Sequence, residues 1–342
     1  MIARRPILAS VCAVVTAAVL ALAGCGGSSG SGAASTAPAR AAAGTPSIFV
    51  ANRVPGGVLD VVRCDLTDPA SEANPYPVSC SRTDRTGSDV QALLATTQGL
   101  YEGLASGAMR RCSTDGTGCA DLNTFGSGVR SLATDGTRIY AGTSAGTVLS
   151  CDATQANRCS DLRTGPGSVN GLAVTAGSLF AALGTENVLI KCDLTAGTCA
   201  RHASLPGSAS AITVSGDRLI VSTMYDLVSC DPATANACVT HPRTTSQILD
   251  VTAGGGNVYV ARGGARDFLQ QCDADATNCV RRKTGSTRIT GNAVAVQSGR
   301  VFLGSAILWS CKAASVAPCV GTRGLPTGFR SVDLVVAGTP AG

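Results

Sequence analysis

The chain has 342 residues, of which 44% are hydrophobic and only 14% charged, with 41 glycines and 16 cysteines. That balance excludes a disordered chain, allows a sizeable core and points to many turns. The formal net charge of +5, which falls to +3 without Arg4 and Arg5, is too weak and too scattered for a nucleic-acid binder.

At the N-terminus, Met1-Ile2-Ala3-Arg4-Arg5-Pro6 precedes an apolar run from Ile7 to Ala23 and then Gly24-Cys25. A basic head, an apolar run shorter than the roughly 20 residues of a membrane span and a small-residue exit form the pattern of a secretory signal. The exit itself, Leu22-Ala23-Gly24-Cys25, resembles the lipobox of bacterial lipoproteins. The resemblance implies that residues 1–24 are removed, that the Cys25 thiol is acylated, and that the lipid is the link to a membrane. The other reading is an ordinary signal cleaved elsewhere, with Cys25 a bystander. Arg4-Arg5 also loosely matches a twin-arginine signal, but that route carries folded substrates, and a chain that must form many disulfides after crossing argues for the unfolded route. Residues 25–46 are a Gly/Ala/Ser/Pro mixture that cannot bury a core and reads as a flexible tether. The folded part is expected over 47–342.

With Cys12 and Cys25 set aside, fourteen cysteines fall into seven pairs: Cys64 and Cys80, Cys112 and Cys119, Cys151 and Cys159, Cys192 and Cys199, Cys230 and Cys238, Cys272 and Cys279, Cys311 and Cys319. The first members are 48, 39, 41, 38, 42 and 39 residues apart, a repeat of about 40. Each unit has one grammar. A strand such as VNGLAVT (169–175) meets a glycine turn, then a strand such as LFAAL (179–183), then a strand ending in the first cysteine, then one beginning at the second. Four short strands per 40 residues make a β-propeller blade. The chain opens at Ile48 on a second-type strand and ends on an unpartnered first-type strand, FRSVDLVV (329–336). The last strand is therefore expected to join the first three and close a ring of seven blades, which removes exposed sheet edges. The fold class is all-β, a seven-bladed propeller of four-stranded blades.

In this frame the two cysteines of a unit face each other across a hairpin. Zinc needs four converging ligands, and two histidines cannot complete pairs held in separate blades. Redox motifs with two intervening residues are absent, so each pair reads as a disulfide of the outer hairpin, suited to an oxidising compartment. Asp65, Asp152, Asp193, Asp231 and Asp273 follow the first cysteine in five units. Calcium is one reading, but an Asp closing a turn onto its own backbone accounts for all five. Phe49, Tyr101, Tyr140, Phe180, Tyr259 and Phe302, with Ile220 in the seventh unit, start the second strands and are expected to pack between blades rather than stack on a carbohydrate.

Near the start of each innermost strand one position is polar: Gln91, Arg130, Asn170, Ser210, Asn292 and Arg330, with Leu249 the exception. These are expected to ring the channel mouth, either as solvated polar residues of a wet pore or as a site where Arg130 and Arg330 hold an anionic or multiply hydroxylated ligand. Small residues follow them: Ala92, Ser131, Gly171, Ala211, Ala293 and Ser331. Inter-blade segments carry Arg82, Arg85, Arg163, Arg201, Arg243, Arg281, Arg282, Lys283, Arg288 and Arg323, and hairpin tips carry acids including Asp68, Glu72 and Asp115, so one face should be basic and the other acidic. His202 and His241 fall on outermost strands, away from the axis. Without an acid ring at the mouth or a Ser/His/Asp set, the chain does not read as an enzyme. Glu102, Glu186, Asp226 and Asp267 keep a metal-dependent hydrolase or lyase as the alternative.

The strand grammar from Ile48 to Val336 resembles bacterial seven-bladed propellers of the YWTD/NHL-like kind, and more narrowly cysteine-paired propeller lipoproteins of bacterial envelopes. The resemblance implies an extracytoplasmic, lipid-anchored binding or interaction module facing the periplasm or the cell surface. No cofactor or metal is expected, and no residue-specific motif carries an active site over. An envelope protein or an anionic polymer is the expected partner, the membrane being reached through Cys25, and a monomer is expected.

Overall fold

The computed structural model describes residues 47–53, 59–66, 79–85, 87–155, 157–163, 165–263, 269–282, 292–297, 299–313, 319–322 and 331–337. The expected signal segment and tether, with Cys25, lie outside the described residues, as does Arg330. Twenty-eight strands form seven antiparallel sheets of four strands, and no helix occurs among the described residues. No helix there is long and apolar enough to cross a membrane.

Blade 1 joins the last strand, Ser331–Ala337, to the first three, Ser47–Arg53, Leu59–Asp65 and Ser79–Arg85. Ile48 lies opposite Val336 on one side and Cys64 on the other, so the two ends of the chain share one sheet. Blades 2 to 7 then follow in sequence. Their innermost strands are Val90–Thr96, Val129–Thr134, Val169–Thr175, Ala209–Ser215, Ile248–Gly254 and Ala293–Gln297. Each packs against the next, and that of blade 7 packs against Ser331–Ala337, which closes the ring.

The core is seven clusters, one at each junction. Phe302 and Leu308 of blade 7 pack with Ile48, Val50 and Val62 of blade 1, so the closing junction is as well filled as the others. Phe49, Tyr101, Tyr140, Phe180, Ile220, Tyr259 and Phe302 are all at most 1% exposed, which places them in packing and out of reach of a ligand. The Tyr101 hydroxyl donates to the Ala153 carbonyl of the next blade at 2.7 Å, and the Tyr140 hydroxyl donates to Asp135 Oδ2, also at 2.7 Å. Glycine sets how closely blades approach. A Cβ on Gly103 or Gly142 would lie 2.6 or 2.5 Å from Cγ1 of Val129 or Val169 in the following blade.

All seven expected disulfides are formed, closing one hairpin of sequence separation 16 (Cys64–Cys80) and six of 7 or 8. Seven disulfides mark a chain that folds in an oxidising, extracellular setting.

The aspartates beside these cysteines divide into two kinds. Asp152 accepts from the Thr154 and Gln155 amides, Asp193 from those of Thr195 and Ala196, and Asp231 from that of Ala233, the expected turn closure. Asp273 instead accepts from the Asn278 side chain, and its turn is closed by Asp275 through Thr277. Asp65 pairs with Arg63 at 2.8 Å and accepts from Ser47. Turn hydrogen bonds, led by those from Thr117, Thr154, Ala196, Ala233 and Thr277, hold Asp115, Asp152, Asp193, Asp231 and Asp275 below the usual carboxylate range.

Candidate functional site

The innermost strands share a local irregularity that builds the site. Val90 lies opposite Leu104 and Ala92 opposite Gly103, which leaves Gln91 as an extra residue. The same bulge occurs at Arg130, Asn170, Ser210 and Leu249. In blade 7 the Asn292 amide donates to the carbonyl of Gly304, the residue opposite Ala293, so Asn292 takes the equivalent place. A bulge re-aims its side chain out of the regular pleat. Repeated around a ring, it aims Gln91, Arg130, Asn170, Ser210, Leu249 and Asn292 at one central cavity of about 540 Å³, within the range of small-molecule sites.

The register in blade 1 corrects the sequence alignment. Ser331 lies opposite Asn52 and Asp333 opposite Ala51, so the extra position is 332 and not 330. The level one residue deeper, expected to hold only small residues, therefore reads Ala92, Ser131, Gly171, Ala211, Asp250, Ala293 and Asp333. Both aspartates line the cavity. Sequence reasoning missed Asp333 through the slip of two residues, and missed Asp250 because its blade was set aside as the Leu249 exception. An acid two residues after a buried β-branched residue opening the strand, as in Ile248-Leu249-Asp250, is the signal that could have found it.

These carboxylates also stitch blades together. Asp250 Oδ1 accepts the Val251 amide at 2.8 Å, and Oδ2 accepts the Val294 amide of blade 7, also at 2.8 Å. Asp333 Oδ2 accepts the Leu93 amide of blade 2 at 2.6 Å. Ser131 and Asn170 donate to the Val169 and Ala209 carbonyls of their own following blades, at 3.0 and 2.8 Å. Asp250 is half-buried at the cavity wall, and desolvation, with the charge of Asp333, pushes its carboxyl up to about 7 against the two amide bonds that favour its ionised form. Arg130 is exposed in the cavity and makes no hydrogen bond or ion pair with a described residue.

The arginines of the inter-blade segments are for the most part engaged locally. Arg82 pairs with the buried Asp60 at 2.9 Å, Arg163 donates to the Gly146 carbonyl, Arg201 to Ser204, Arg281 to Thr245 and Arg282 to the Ala313 carbonyl, while Arg243 lies 4.8 Å over the Tyr225 ring. The side chains of Arg85, Lys283, Arg288 and Arg323 lie outside the described residues, as do Asp68, Glu72 and Asp267. Within the cavity the described charges are one arginine and two aspartates, so the inner ring is not the basic mouth that chain-order sorting of charges suggests.

The histidines stand away from this centre. His202 is buried edge-on to Phe180, with Nε2 2.9 Å from the Asp231 carbonyl. His241 Nε2 lies 2.9 Å from Ser229 Oγ, and burial pushes its pKa down. Glu102 approaches Cys112 and Cys119, but both sulfurs are spent in a disulfide and Arg110 lies 3.5 Å from the carboxylate, so no metal-binding thiolate is present. Two carboxylates reach the cavity, and among the described residues no third acid and no histidine joins them.

Neither a family model nor a curated protein matches the chain. Solved structures do. The likeness is one of fold. The computationally designed Ika8 protein matches at TM-score 0.60 with 14% identity over 85% of this chain and 91% of its own. The β-propeller domain of Myceliophteria thermophila Cps50 (Swd1) matches at 0.59 with 17% identity, over 71% and 89%. A chain of the nidogen/laminin complex matches at 0.53 with 12% identity, over 69% and 93%.

Proposed function

We propose that this chain is a lipid-anchored binding module of the bacterial envelope, displayed outside the cytoplasm, which takes up a small polar solute in its central channel and performs no chemistry on it. The carrying observation is the bulge ring: six of the seven blades aim a bulge residue, polar in five of them, at one cavity, whereas the histidines are spent on the outer strands. Disulfides in every blade agree with export, and the Leu22 to Cys25 motif supplies the anchor. An anionic polymer is not favoured at the channel, because Asp250 and Asp333 share the cavity with Arg130 and the arginines outside it are mostly engaged. Thermal-shift screening of the oxidised chain against envelope glycans, anionic polymers and small polar solutes tests this reading. Stabilisation by a small solute is expected; salt-sensitive stabilisation by polyanions alone would overturn it.

The anchor has its own test. Acyl chains contribute about 0.8 kcal/mol per buried methylene, so a multiply acylated Cys25 holds the chain on a membrane without a span. Cys25→Ser is expected to move the protein from the membrane fraction to the soluble one and to abolish labelling by a palmitate analogue. Membrane retention of the variant would refute the lipid anchor.

A further inference from the structure

The charges in the channel have an arrangement as well as a sum. Around the ring the blades run 1 to 7 in chain order, so Arg130 of blade 3 stands three blades from Asp250 of blade 6 and two from Asp333 of blade 1. The arginine thus faces a wall on which the two carboxylates flank blade 7. Between the poles, Gln91, Asn170 and Ser208 offer neutral donors and acceptors, and Leu132 and Leu172 line the cavity alongside.

Resting on the reading of the channel as a ligand site, we infer that its ligand is a zwitterion, an amino acid or short peptide whose carboxylate meets Arg130 and whose ammonium meets Asp250 and Asp333. Arg130 presents a planar fork of N–H donors suited to a carboxylate, and no described residue occupies it. Each oxygen of Asp250 accepts one backbone amide and retains acceptor capacity for an ammonium group. A purely anionic ligand would be brought against two carboxylates, and a purely cationic one against Arg130, so the site discriminates by repulsion as well as attraction. Peptide amides suit the neutral polar groups between the poles, and aliphatic side chains suit the leucines. A cavity of about 540 Å³ has room for a short peptide.

Calorimetry on the oxidised full chain at pH 8, where Asp250 is ionised, tests this with alanine, dialanine and trialanine, their N-acetyl forms and their C-terminal amides. At least one free zwitterion is expected to bind, and blocking either terminus is expected to weaken binding at least tenfold. Arg130→Ala should erase the preference for free acid over amide, and Asp250→Asn should reduce the preference for free amine over acetylated amine, each with all seven disulfides still formed by mass. Equal affinity for free and blocked peptides, or binding that survives the channel-filling Leu249→Trp, would overturn the inference. If no peptide binds while another solute binds in a manner lost in Leu249→Trp, the zwitterion assignment fails and the channel reading stands. If nothing binds in a channel-dependent way, both fail.

Discussion

Reduction of the seven disulfides is expected to unfold the chain at 37 °C, with the melting temperature measured in the presence of a reductant falling by tens of degrees. Each bond closes a small ring, and in the loop-entropy account a ring of this size contributes roughly 2 to 3 kcal/mol, more for the longer Cys64–Cys80 loop. These contributions will not add simply. Even half their nominal sum would match the whole stability of an ordinary domain, about 5 to 15 kcal/mol. The bonds also sit where the blades are otherwise weakest. The fourth strands of blades 5, 6 and 7 are short, Cys238–Thr240, Val280–Arg282 and Val320–Gly321, and Val239, Val280 and Val320 are exposed on them, so little apolar burial holds these edges down. A Cys192→Ser/Cys199→Ser double variant should lose about 2 to 3 kcal/mol in denaturant unfolding. A reduced chain that melted within a few degrees of the oxidised one would show that inter-blade packing alone carries the fold.

Asp250 is expected to give the stability an unusual dependence on pH. Its carboxyl lies near 7 in the folded chain and near 3.8 when unfolded, so the folded chain holds a proton that the unfolded chain releases. The stability from that proton is complete below about pH 4 and is lost as pH rises through 7. A shift of about three units at 1.36 kcal/mol each sets the loss at no more than about 4 kcal/mol between pH 4 and pH 8. Asp250→Asn removes this slope. Asparagine has one acceptor oxygen for the two amides of Val251 and Val294, so the variant also loses about 1 kcal/mol at every pH, and the slope rather than the absolute stability is diagnostic. His241, held down by burial, gives an opposite slope near neutrality that is the same in both chains. Melting temperatures from pH 4 to 8 check the difference; parallel curves for the two chains would show that Asp250 is ionised throughout.

Much of this architecture was legible before any coordinates, because it repeats. Cysteines recurring every 40 residues fixed the blade length, and the odd strand Ser331–Ala337 at the end required a closure that the pairing of Ile48 with Val336 provides. The buried aromatics were legible for the same reason, each holding one phase of the second strand. The site was less so. The polar position shared by Gln91, Arg130, Asn170, Ser210 and Asn292 was legible, but the bulge that aims it was not, and a slip of two positions in the last strand put Arg330 in place of position 332 and hid Asp333. Charge sorting by segment failed at the channel because it counts residues and not partners: Arg82, Arg163 and Arg282 all lie in inter-blade segments, and each is held by a carboxylate or carbonyl of its own surroundings.

The claim that the channel is a binding site is tested most directly by filling it. Leu249 stands at the one bulge in blades 2 to 7 with an apolar side chain, lines the cavity and makes no hydrogen bond there, so Leu249→Trp occupies the channel without unpicking the stitching between blades. Native mass spectrometry of the oxidised chain against a library of small polar solutes should find at least one that binds the parent and is lost in Leu249→Trp, with seven disulfides intact in both. Solutes that bind the two chains equally, or none that binds the parent, would contradict the account.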